Sequence, residues 1–221
     1  MFANHIGAII QVLGPIVSMP FYLSLLGPSQ FGLVSFITTL QATLGMLEAG
    51  FAQISAKEFA ILTKKENPDF AGAAYYLKKF EEIFWGIAIA SAIVTLFMSE
   101  IIANHWLISQ SESEKKLAQD AVIGAAIIFA AQFPSGLYRS YLIGTQQQVK
   151  LSTISSGSVI LRHGFGIAIL YIHTTLHIYL IWQIISYAID TYTRRFVSWK
   201  SITIKQAPTK ERKNDFRKVI R

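Results

Sequence analysis

No Lys, Arg, Asp or Glu occurs between Met1 and Leu47. A water-soluble domain has no use for so long a stretch without formal charge. About 20 apolar residues already suffice to carry an α-helix across a hydrocarbon core of roughly 30 Å. These positions therefore hold two crossings, and Gly27-Pro28-Ser29-Gln30 supplies the turn between them. The remaining composition agrees, with 52% hydrophobic and only 15% charged residues, so an all-α polytopic membrane protein is expected. The absence of cysteine excludes disulfides and thiolate metal sites. The N-terminus has neither a basic n-region nor a small-residue cleavage site, so Met1 to Leu26 is expected to remain in the mature protein.

Six spans are expected. The first four cover Ile6 to Leu26, Phe31 to Ile54, roughly Ile83 to Ala103, and Ala121 to about Ile143. Leu151 to Ile189 reads either as two short spans broken at His173-Thr174-Thr175 or as one span starting at Gly164. The positive-inside bias decides between them. With six spans, seventeen basic residues fall on the inner side, only Lys115 and Lys116 fall outside, and Arg162 lies within a span. With five, the basic residues from Arg194 to Arg221 would be exported. Both termini are therefore expected in the cytoplasm, with residues 1–197 forming the transmembrane lobe and 198–221 a basic cytoplasmic segment.

Helical spacing draws polar stripes within these spans. Gly7, Gln11, Gly14, Ser18 and Tyr22 share one face of the first. Gln41, Gly45, Glu48, Ala52 and Ser55 share a face of the second, Gln132, Ser135 and Arg139 of the fourth, and Ser155, Ser158, Arg162 and Gly166 of the fifth. Small residues alone would mean close helix packing. Glu48 and Arg162 argue for more, because a charge near the bilayer centre costs about 2.5–3.5 kcal/mol on insertion scales and usually faces a bundle interior or an aqueous cavity. Two readings of Arg162 stand side by side: a structural ion pair with Glu48, and a cationic lining that holds an anionic ligand through parallel hydrogen bonds. Arg162, Glu48, Gln41, Ser158 and Arg139 are the candidate substrate-binding residues. His163 points about 100° away from Arg162 round the helix and reads as a packed side chain. Kinks are expected at Pro15, Pro20 and Pro134.

No glycine-rich phosphate loop, His-Glu-x-x-His pair or nucleophile elbow occurs, so neither an enzyme nor a bound cofactor or metal is expected. The net charge of +7 comes largely from the inner-face segments, which fits contact with anionic lipid rather than nucleic acid.

Pro20-Phe21-Tyr22, Leu26-Gly27-Pro28 and Phe31-Gly32-Leu33 resemble the opening of polysaccharide exporters of the multidrug/oligosaccharidyl-lipid/polysaccharide superfamily, and the O-antigen and capsule-repeat flippases in particular. Glu48-Ala49-Gly50 occupies the place of their acidic-x-Gly element, where Asp is commoner. Ala56-Lys57-Glu58 resembles the polar segment after it, and Tyr141, Gly144 and Gln146 match the exit from their fourth helix. The resemblance covers about residues 5 to 150, and more loosely the rest.

This resemblance implies one lobe of a two-lobed flippase working by alternating access in the bacterial cytoplasmic membrane. Its substrate would be a lipid-linked oligosaccharide of the undecaprenyl-diphosphate type, moved during surface polysaccharide biosynthesis, with polysaccharide assembly proteins and membrane lipids as partners. Asp215 to Arg221 resembles the lead-in to a seventh helix, so a fragment of a longer protein is expected. Two other functions fit the same residues. One is cation-coupled efflux of small molecules, with Glu48 as the binding group; the other is a non-transporting membrane partner of a polysaccharide assembly complex.

Overall fold

The computed structural model describes residues 2–64, 68–106 and 111–206, all helical apart from short connections. Helix α1 is Phe2–Thr63, α2 Phe70–Trp106, α3 Glu112–Gln132, α4 Ser135–Gly144, α5 Gln148–Val159, α6 Gly166–Ile172 and α7 Leu176–Gln206. A π-helical segment, Ile160–Phe165, joins α5 to α6. Among the described residues, four helices are long and apolar enough to cross a membrane: Ile6–Thr43, Phe70–Asn104, Glu112–Gly144 and Gln148–Ile172. The first of these contains the expected turn, at Gly27.

Helix α1 is two arms rather than one rod. Gly27 alone within it leaves helical geometry, at φ 74° and ψ 167°, a conformation that a residue with a Cβ rarely adopts. Neighbours on either side of Gly27 show how sharply the chain turns. In the first arm, Gly7 lies against Ser152 and Ser156, and Gly14 against Val159. Further along the same arm, Ser18 and Tyr22 reach His163. In the second arm, Glu48 lies against Gly136, and Ala56, Phe59 and Ala60 against Gly144. The first arm thus runs parallel to α5 and the second parallel to α4. Because α4 and α5 reverse at the turn around Gln146, whose φ is 58°, the two arms of α1 are antiparallel.

The other connections complete an up-and-down bundle. Asp69 accepts from the Gly72 N–H at 2.7 Å and so starts α2, while Ser111 caps α3 by accepting from the Glu114 N–H. A break at Phe133-Pro134 separates α3 from α4, as expected for Pro134. Pro15 and Pro20 lie inside α1, where the residue outside helical geometry is Gly27. The chain is interrupted again at 173–175, where the Gln30 side chain accepts from the Leu176 N–H at 2.8 Å and links α7 to the turn of α1.

Two cores hold the ends together. Leu26, Leu33, Ala103, Ala118 and Leu176 pack at the end bearing Gly27. Phe59, Leu77, Phe84, Tyr138, Tyr141 and Ile202 pack at the opposite end, where α1 starts and α7 finishes. Helix α7 continues past residue 197 to Gln206, and the segment expected to lead into a seventh helix lies outside the described residues.

Candidate functional site: a charged cavity between helices

A cavity of about 580 Å³ opens among the second arm of α1, the α3–α4 break, the π-helical segment and α7. Four of the five residues singled out in the sequence line it: Gln41, Glu48, Arg139 and Arg162. They come from three separate parts of the chain. The fifth, Ser158, stands behind the wall and donates its hydroxyl to Asp190 Oδ1 at 2.5 Å.

Arg162 occupies the middle of the π-helical segment, a local widening of the helix often found at functional sites. Its carbonyl accepts from the Trp182 indole N–H at 3.1 Å. The guanidinium lies over the Tyr187 ring, 3.5 Å from the centroid, where a cation is attracted by the π face. Its Nε is buried and has no hydrogen-bond partner. No ion pair joins Arg162 to Glu48 among the described residues. The carboxyl group of Glu48 sits directly over Gly136, whose missing side chain leaves the space it fills.

Asp190 and Arg194, one turn apart on α7, also line the cavity. Arg194 Nε is 3.0 Å from both Asp190 oxygens, its Nη2 donates to Ser155 at 3.1 Å, and both side chains are under a tenth exposed. Asp190 and Arg194 pair with each other, and the wall also carries the guanidinium groups of Arg139 and Arg162 and the carboxyl group of Glu48. Gln132, which also lines the cavity, has a buried amide oxygen with no hydrogen-bond partner among the described residues.

Sequence reasoning missed this pair. Arg194 had been assigned to the inner-face charges, and Asp190 had drawn no notice. The signal available was an acid four residues ahead of an arginine in an otherwise apolar run.

The stripe on the first arm is mainly a packing face. Gly7 and Gly14 are packing positions against α5, and Ser18 is buried with its hydroxyl 3.0 Å from His163 Nδ1. Gln11 of that stripe reaches an adjoining cavity of about 300 Å³, which it shares with Arg139. Gly166 likewise leaves the expected stripe of the fifth span and packs against Trp182 and the Tyr22 hydroxyl. His163 is the packed, hydrogen-bonded side chain that its position implied. No family model, curated protein or solved structure matches this chain.

Proposed function

We propose that this chain spans the bacterial cytoplasmic membrane six times, with both ends inside, and forms one lobe of a flippase for a lipid-linked oligosaccharide. The observation that carries the reading is the Arg162 guanidinium, stacked on Tyr187 with its Nε unpaired, at the wall of a cavity with more cationic than anionic groups. A planar guanidinium can hold diphosphate oxygens through two parallel hydrogen bonds. The amide side chains of Gln41 and Gln132 in the lining suit sugar hydroxyls, which donate as readily as they accept. Alternating access would require a second lobe, from another copy or another polypeptide.

The test is binding of an undecaprenyl-diphosphate oligosaccharide to the purified chain. Losing charge-assisted hydrogen bonds worth about 1.5–3 kcal/mol weakens binding roughly ten- to hundredfold in Arg162→Ala, with Arg162→Lys intermediate. If Arg162→Ala instead lowers folded protein and Glu48→Gln restores both yield and binding, the arginine serves only to neutralise the acid. A second reading, cation-coupled efflux of small molecules, is favoured by the Glu48 carboxylate, which faces the cavity without a hydrogen bond or ion pair among the described residues. That reading wins if Glu48→Gln abolishes binding of a cationic dye and leaves oligosaccharide binding intact.

A further inference from the structure

Away from the cavity, at the end of the bundle bearing the 145–147 turn, two pockets flank Phe196 on α7. One, of about 370 Å³ between α2 and α7, is lined by Lys78, Glu81, Tyr192, Arg195, Phe196 and Trp199. The other, of about 390 Å³ between α5 and α7, sets Lys150 and Lys200 beside apolar Val149, Ile154 and Val197. Phe196 belongs to both and stands as a ridge between them.

Tyr192 and Phe196 are 67% and 55% exposed, so this ridge offers apolar surface outward. The charge beside it is lopsided. Lys78, Lys150, Arg195 and Lys200 face one carboxylate, Glu81, which already accepts from Arg195 Nε at 2.5 Å and from the Tyr138 hydroxyl. Lys150 donates to the Gln147 amide at 2.7 Å, and Lys200 lies 5.7 Å from the Phe196 ring centroid, so two of the cations are held near the ridge by uncharged partners. A guanidinium has five N–H donors, and the bond to Glu81 uses the Nε of Arg195. The Trp199 indole N–H is buried without a partner. Lys78 and Lys150 each stand close to the start of an apolar helix, and Tyr and Trp are the side chains enriched at headgroup level.

We infer that the Phe196 ridge is a binding site for an anionic phospholipid. Its phosphate sits between Lys78 and Arg195 on one side and Lys150 and Lys200 on the other, and its acyl chains cover the exposed aromatic rings. Charge alone would suit an acidic protein segment equally. The exposed rings at the border of the apolar helices favour a lipid. The site rests on the membrane reading and is independent of what the central cavity carries.

The full chain is reconstituted in phosphatidylcholine vesicles containing brominated phosphatidylglycerol or, separately, brominated phosphatidylcholine. Quenching of Trp199 is obtained as the difference between the native chain and Trp199→Phe. The brominated anionic lipid is expected to be preferred about tenfold. In the Lys78→Gln/Lys150→Gln/Lys200→Gln variant, which changes exposed side chains only, the preference should fall close to unity. Equal quenching by both lipids, or a preference unchanged in the triple variant, overturns the site and leaves an acidic protein as the better match. Displacement by millimolar inorganic phosphate would mean a soluble anion is read instead. A chain that fails to float with the vesicles refutes the membrane reading itself, which separates that failure from a mere lack of lipid preference.

Discussion

The position of Glu48 depends on Gly136, because a Cβ at residue 136 would overlap the carboxyl group. Alanine ordinarily improves a helix over glycine by about 1 kcal/mol, so a loss on Gly136→Ala would isolate the collision from propensity. Gly136→Ala is expected to lower the melting temperature in detergent, and Glu48→Ala in the same chain should recover it. The cycle should show a coupling of about 0.5–3 kcal/mol; purely additive effects would detach Glu48 from α4. At this scale the sequence was informative wherever a charge stood alone in apolar surroundings. Glu48 and Arg162 could be picked out because an isolated intramembrane charge has few explanations. Asp190 and Arg194 escaped because a basic residue close to a basic segment looks like part of it, and only the fold brings Ser155 and Ser158 to them.

Among the elements, the π-helical segment sets the aim of Arg162. The widened turn needs more residues than α-helix does, so deleting Gly164 should let 159–166 close as regular helix. Packing of Gly14 on Val159 below and of Gly166 on Trp182 above should survive this change. The expected outcome is a chain that still folds and inserts but binds the lipid-linked oligosaccharide at least tenfold more weakly, because Arg162 has turned away from Tyr187. Unchanged binding would mean the widening has no part in placing the guanidinium. Nothing in Ile160–Phe165 announces this geometry. Spacing of three and four residues assumed a uniform helix, which is why Arg162 was aligned correctly with the cavity while Gly166, beyond the widening, was not. The first-arm stripe was ambiguous for a different reason. Small residues produce the same pattern whether they admit a neighbouring helix or water, and here Gly7 and Gly14 admit α5.

For the whole molecule, the turn at Gly27, the break at 173–175 and the pairing of Asp120 with His177 lie at one end, and the 145–147 turn at the other. Because the chain has no cysteine, single cysteines report sidedness cleanly. Ser113 and Lys64 are exposed, whereas Ser201 is buried and would label poorly. An impermeant thiol reagent on intact cells is expected to label Ser113→Cys and to reach Lys64→Cys only after permeabilisation; the opposite pattern would invert the topology. The all-helical class and the long apolar helices were readable from apolar lengths, which depend on local composition rather than on the tertiary fold. Helix α7 carries a consequence for biogenesis. It is not among the four helices apolar enough to cross a membrane, and Asp190 and Arg194 find their outside partners on α5. A nascent α7 emerging before α5 is seated would bring a carboxylate and a guanidinium to the lipid without those two serines to receive them. Translation delivers α5 first, so if α7 crosses the membrane as proposed, the order in which the ribosome makes these helices is also the order in which the membrane can accept them.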